Sequence, residues 1–467
     1  MKLDPFQHDD FNFPIDKFEM MLKTNHVLFF DLAEFENIVV HYMDTGKLVL
    51  AKKALKMGLD QHPLATNLRL LKAEVLVLED KLTEAVELLD ELKVLEPTND
   101  EVLLLIASVL SKKDDHEAAI KILNQALKCT DEAADVYSML GMEYLFIENF
   151  EQAKQAYMSC VKIDKTDYTA LYNVIYCFDF LNQREQAVQF LEAVINENPY
   201  SEIAWHQLGK LYFEDNQLSK ALNAFEYAII SDEYFVGAYL EKAKVLERLN
   251  RHKEAIDTYS ITLQLDDPTA FAYLRIGKCY YALGQKQKAL KYFKQAVHED
   301  PLMDKIWLAL SDFYIKEKSF KQALYYINKA INIDEENVLY WKHYAIINQE
   351  LGNSADSAYG LKKSLNLGNF EIEVWLLQIN AFIQEKNYQE ALIACQQASD
   401  FFPTNAEIFF RFSGIYYQLG QTSKAIDYLV KTIQLQPTCI EDNRLLFPEM
   451  LVDGHVVSVL EKHHIKL

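Results

Sequence analysis

The chain repeats itself every 34 residues. Sliding it by that step aligns residues 32–439 as twelve units with no insertion or deletion, beginning at 32, 66, 100, 134, 168, 202, 236, 270, 304, 338, 372 and 406. One column holds Ala51, Ala85, Ala119, Ala153, Ala187, Ala221, Ala255, Ala289, Ala323, Ala391 and Ala425, with Ser357 as the exception. A second favours small residues, among them Ala73, Ala107, Gly141, Gly209, Gly277, Ser311 and Ser413. A third gathers every tryptophan of the chain, Trp205, Trp307, Trp341 and Trp375. A fourth closes units with Pro63, Pro97, Pro199, Pro301, Pro403 and Pro437. A period of this length marks an array in which each unit buries its apolar face on its neighbours. That also accounts for 467 residues, too many for one core of ordinary size.

Each unit reads as two amphipathic helices. In residues 270–303, Tyr273, Ile276, Gly277 and Tyr280 recur at helical spacing, and Ala289, Phe293 and Ala296 do so after them. Between the two stands Gly46, Asn182, Asn216, Asn250, Gly284, Gly352 or Gly420 in seven units, residues that accept the left-handed conformation ending a helix. Proline then stops the second helix by pushing its predecessor out of helical conformation. The short residues let paired helices approach closely, and larger ones there would overpack. The Gly-Lys pairs at 209–210 and 277–278 are therefore not phosphate loops. Such a loop needs G-x-x-x-x-G-K-[ST] between strand and helix, and here the glycine sits inside a helix.

With Trp205, Leu208, Gly209, Tyr212, Ala221, Phe225 and Ala228 in one unit, and Tyr273, Ile276, Gly277, Tyr280, Ala289, Phe293, Ala296 and Pro301 in another, the pattern resembles the tetratricopeptide repeat family. The resemblance implies an all-α fold, a right-handed superhelical solenoid of stacked helix-turn-helix repeats whose first helices line a concave wall. Residues 1–31 are expected to be a tail and a capping helix, 32–439 the twelve repeats, and 440–467 C-terminal capping helices. The acidic tail 1–14 carries Phe6, Phe11 and Phe13 and is expected to be flexible.

Composition narrows the function. A net charge of −22, from 47 Lys+Arg against 69 Asp+Glu, disfavours a nucleic-acid binder, which must neutralise phosphates. Six scattered cysteines suit buried thiols in a reducing compartment. With no signal-peptide pattern and no membrane-length apolar run, the expected location is the cytoplasm. The metal-binding, nucleophile-elbow and dinucleotide motifs are missing, and the adjacent His463 and His464 read as tail. No enzyme, cofactor or metal is expected.

Function is expected on the first helices, as a scaffold binding a partner protein or peptide. The family's geometry puts Lys210, Lys244 and Lys278 in register on the concave wall, about 10 Å apart, with Arg275 nearby and Glu241 interleaved. An acidic segment fits such a ladder. Toward the N-terminus the same wall turns apolar, with Leu70, Leu71, Leu104, Leu105, Met139, Phe146, Tyr172 and Tyr176. The expectation is that this stretch anchors a partner, unless the tail fills it, and that the lysines read its acidic flank. Homo-oligomers are possible. The alternatives are a co-chaperone holding a C-terminal carboxylate and a regulatory subunit of an enzyme complex. Against the first, Lys342 has Ile346 where that clamp needs asparagine; against the second, the asparagine column offers only Asn37 and Asn173.

Overall fold

In a computed structural model, residues 13–24, 27–265, 269–368, 371–463 and 465 are described. The leading tail and His464 lie outside them, apart from Phe13 and Pro14, which open the first helix. The described residues form helices and turns without strands. They divide into two compact units, 1–233 and 234–467.

The N-terminal unit opens with α1 (Phe13–Thr24) and continues as six helix pairs. Its first helices are α2 (Leu32–Asp44), α4 (Thr66–Leu78), α6 (Asp100–Lys112), α8 (Ala133–Phe146), α10 (Tyr168–Phe180) and α12 (Glu202–Glu214). Their partners are α3 (Leu48–Gln61), α5 (Leu82–Leu95), α7 (His116–Ala126), α9 (Phe150–Ile163), α11 (Arg184–Glu197) and α13 (Leu218–Ser231). Phe18 and Met21 of α1 are buried with Phe30, Phe35 and Tyr42, so α1 covers the apolar face of the first pair.

The C-terminal unit holds six more pairs. Its first helices are α14 (Val236–Arg248), α16 (Ala270–Ala282), α18 (Asp304–Lys316), α20 (Val338–Glu350), α22 (Ile372–Gln384) and α24 (Ala406–Gln418). Their partners are α15 (His252–Leu265), α17 (Lys286–Glu299), α19 (Phe320–Ile333), α21 (Ser354–Asn366), α23 (Tyr388–Phe401) and α25 (Thr422–Leu435). Three short helices follow, α26 (Thr438–Asp442), α27 (Pro448–Leu451) and α28 (Gly454–Lys462). These helices lay Cys439, Ile440, Met450 and Val456 over the last pair, and the turn before α27 adds Phe447.

The pairs pack as their short residues dictate. A Cβ on Gly141 would meet the Tyr157 ring at 2.6 Å, and one on Gly277 would meet the Phe293 ring at 2.6 Å. The alanines of the second helices are fully buried opposite. Each first helix ends on a residue of positive φ, and these twelve turns recur at one position of the repeat, from Gly46 to Gly420. The residue after it donates its N–H five places back, as Lys47 to Tyr42 at 2.8 Å and Gln217 to Tyr212 at 2.8 Å, which satisfies a carbonyl orphaned at the helix end. Before the prolines the chain turns extended, as at Glu96 (φ −132°, ψ 74°) and Asp300 (φ −141°, ψ 94°). Three tryptophans tie into the preceding inter-repeat turn. Trp205 Nε1–H donates to the Pro199 carbonyl at 2.9 Å, Trp307 to Pro301 at 2.9 Å and Trp341 to Glu335 at 2.7 Å.

Candidate partner-binding surfaces

In the N-terminal unit, α2, α4 and α6 stand side by side and leave a groove of about 590 Å³. Leu71 and Leu105, expected from the sequence to meet a partner, line it together with Leu104, and all three are half-buried. Leu70 is only 5% exposed and belongs largely to the core. The groove also holds three carboxylates that apolar patterning does not reveal, Glu36, Glu74 and Glu101. Burial, and then the nearby Glu101 charge, hold the Glu74 carboxyl above the usual carboxylate range.

Met139 is half-buried and packs on the core between α6 and α8, so it offers a partner less surface than its position suggested. Tyr172 and Tyr176 on α10 are exposed, at 42% and 53%. They lie in a wider aromatic surface. Phe150, at the start of α9, stacks on Phe180 with centroids 3.6 Å apart and tilts toward Tyr176 at 6.3 Å. Phe146 and Phe180 are themselves more than half exposed, at 56% and 58%. Phe150 escaped the sequence reading because it opens a second helix, outside the first-helix wall, whereas Phe180 stands one repeat after Phe146 at the same first-helix position and was overlooked there. Their signal was the aromatic pair closing α10 and opening α9.

The lysine positions are not equivalent. Lys210 sits half-buried on α12 of the N-terminal unit, whereas Lys244 and Lys278 belong to the C-terminal unit. Lys244 donates to Glu241 Oε1 at 2.6 Å, one turn away on its own helix, and its ammonium lies 5.6 Å from the Phe271 ring centre. Arg275 forks onto Glu247, Nε to Oε1 at 2.9 Å and Nη2 to Oε2 at 2.8 Å, and the Tyr259 hydroxyl bonds the same carboxylate at 2.7 Å. Arg275 thus joins α14, α15 and α16 to one another, with its fork already occupied. Lys278 is exposed and borders a second cavity, of about 460 Å³, with Tyr281, Asp312, Phe313 and Lys316. Burial of its ammonium against the protein, and then the Arg275 charge, push it below the usual lysine range. Lys316 reaches over the Tyr281 ring at 5.2 Å. The column that supplies the lysines continues as Asp312, so the run of cations ends there.

Outside these surfaces, Lys342 is paired with Glu371. All six cysteines are free, and all but Cys129 are buried. Burial pushes the Cys160, Cys279 and Cys395 thiols up to about 12, which suits packing and leaves no thiolate for attack. Among the described residues no group of three or more His, Cys, Asp or Glu is arranged to hold a metal ion. No helix among them is long and apolar enough to cross a membrane.

Comparison with known proteins draws these features together. Family models described as tetratricopeptide repeat match residues 169–201, 206–268, 270–301, 304–337 and 406–439. The model for the N-terminal tetratricopeptide repeat region of Psidin matches residues 39–177. The BBSome complex member BBS4 of Xenopus tropicalis is 28% identical over 100 residues, a match covering 21% of this chain and 19% of that protein. Among solved structures, yeast Tom70 aligns with 92% of this chain and 99% of its own at 15% identity and a TM-score of 0.40. The Cut9–Hcn1 assembly of the APC/C aligns over 89% and 91% at 14% identity and a TM-score of 0.39.

Proposed function

We propose that this chain, which belongs to the tetratricopeptide repeat family, is a non-catalytic scaffold that holds a polypeptide partner against the first helices of its repeats. Membership makes it a protein-interaction scaffold in general terms. The observation that carries the finer reading is the aromatic surface of α9 and α10, where Phe150 joins Phe180 and Tyr176 and where Tyr172, Tyr176 and Phe180 are exposed, with Phe146 also exposed on α8. Exposed apolar surface of this kind costs solubility unless a partner covers it, and aromatic side chains are the usual anchors of an interface. Leu71, Leu105 and Met139 extend this contact along the same unit. In the C-terminal unit the exposed Lys278 is the cation best placed for an acidic group of a partner, with Lys244 on α14 as a second, already bonded to Glu241; Lys210 has that role in the N-terminal unit. The net charge of −22 argues for protein rather than nucleic acid. Six free thiols fit work in a reducing compartment such as the cytoplasm. The pairing of Lys342 with Glu371 weighs against the carboxylate-holding co-chaperone.

The test compares two triple variants by quantitative affinity purification and circular dichroism. Tyr172→Ser, Tyr176→Ser and Phe180→Ser should lose the main partner while keeping the helical signal. Tyr227→Ser, Tyr325→Ser and Tyr359→Ser, all on second helices, should retain it. Unchanged recovery by the folded first variant refutes the reading. Sedimentation of both variants separates a foreign partner from a second copy of the chain.

A further inference from the structure

We infer that the groove between α2, α4 and α6 takes a segment of a partner polypeptide in which a lysine or arginine lies between apolar residues. This rests on the scaffold reading above and gives that partner a chemistry. The walls are apolar: Val40, Leu71, Leu104 and Leu105 line the groove, and they suit the aliphatic parts of an incoming segment. The charges are all of one sign. Glu36, Glu74 and Glu101 line the same space, and among the described residues no lysine, arginine or histidine does.

Two of the three carboxylates, Glu36 and Glu74, are poorly served by the protein itself, while Glu101 is exposed. Glu36 Oε1 is buried without a hydrogen-bond partner. A buried carboxylate oxygen in this state is costly unless a donor reaches it. Burial and the Glu101 charge also hold Glu74 above the ordinary carboxylate range, as expected where like charges crowd together.

Three kinds of occupant can be compared on these grounds. An acidic segment would add like charge to three carboxylates. A wholly apolar one would cover the carboxylates and leave them unpaired, the arrangement that destabilises most. A cationic side chain with apolar neighbours supplies donors to the carboxylates while its methylene stem lies along the leucines. A groove of about 590 Å³ holds a few side chains of a bound segment, within the range of specific sites. The sign is the reverse of that at the Lys278 cavity, so the two surfaces select different sequences.

The experiment pans the full chain against a random peptide display library, then measures binding of the enriched peptides to the wild type and to Glu74→Gln/Glu101→Gln. That variant keeps size and hydrogen-bonding groups and removes two charges. The inference expects enriched peptides with Lys or Arg flanked by Leu, Ile or Phe, bound about tenfold or more weakly by the variant. Replacing the peptide's basic residue with norleucine should weaken binding to the wild type similarly. Enrichment of acidic or uncharged peptides, or affinities that ignore the Glu→Gln changes, overturns the groove's proposed chemistry and leaves the scaffold reading standing. Failure to enrich any peptide overturns both.

Discussion

Gly209 and Phe225 are in such close register that a methyl group on the glycine would lie 2.6 Å from the aromatic ring. The two residues are sixteen apart, the spacing that also joins Gly141 to Tyr157 and Gly277 to Phe293. Each contact sets how deeply the second helix nests on the first. Gly209→Ala should therefore destabilise the N-terminal unit by about 1–3 kcal/mol, measured by urea denaturation. The double variant Gly209→Ala/Phe225→Leu should recover part of the loss, because the clash is with the ring. A neutral Gly209→Ala would mean that the helices are not held at this distance. Ala289→Leu, at the fully buried alanine of α17, should lower the melting midpoint for the same reason.

Lys318 occupies the left-handed turn between α18 and α19 with φ of 56°. A side chain costs about 1–2 kcal/mol there, while glycine carries only the extra freedom of the unfolded chain, about 0.4–1 kcal/mol. Lys318→Gly should stabilise the C-terminal unit by about 0.5–1 kcal/mol. At Gly284 (φ 74°), a Cβ would meet nothing within 4 Å, so Gly284→Ala should lose stability through conformation alone. Scanning calorimetry on both variants should show shifts of opposite sign.

His343 is placed to hold a proton. Its Nδ1–H donates to the Leu339 carbonyl at 2.9 Å, and Nε2 faces Asp312 Oδ1 at 3.1 Å. Burial opposes the charge, but the Asp312 hydrogen bond and the Leu339 carbonyl outweigh it, so the imidazole is raised above its usual value. A group raised in the folded state stabilises fully below its ordinary value, about 6.5, and the contribution fades as pH rises through the raised one. The stability gap between wild type and His343→Gln should be largest below about pH 6 and shrink toward mild alkalinity. A gap independent of pH in chemical denaturation would contradict this.

Trp307 links a repeat to the turn before it through the hydrogen bond from Nε1 to the Pro301 carbonyl. Trp307→Phe keeps a ring to stack on Tyr326 and removes the donor. The expected cost is about 0.5–1.5 kcal/mol, with faster amide exchange concentrated in the turn around Pro301. Exchange rising evenly along the chain would show that the contact is not local.

The helical pairs were legible in the sequence because every repeat states the same packing demand at the same columns. Ala289 and Gly277 could be read as contacts before any coordinates, since a larger residue fits neither. The left-handed turns were legible only where glycine or asparagine stands. Asp80, Asp114, Glu148, Lys318 and Lys386 adopt positive φ too, held there by helix-end hydrogen bonds that side-chain type does not disclose. The fork of Arg275 on Glu247 was hidden because it joins different columns of neighbouring repeats. The carboxylates of the α2–α4–α6 groove were hidden similarly. Glu36 shares a column with Leu70 and Leu104, Glu74 with Val40 and Ser108, and Glu101 with Asn67, so no column reads as acidic.

Site-specific photo-crosslinking tests the central claim most directly. A benzophenone amino acid would replace Tyr172 or Tyr176 on the first helix α10, and Tyr227 or Tyr325 on second helices, in the full chain in cells. All four native side chains are exposed, so accessibility does not bias the comparison. The account predicts adducts to one polypeptide from Tyr172 and Tyr176, and none to it from Tyr227 or Tyr325. Adducts confined to the second-helix positions would contradict it.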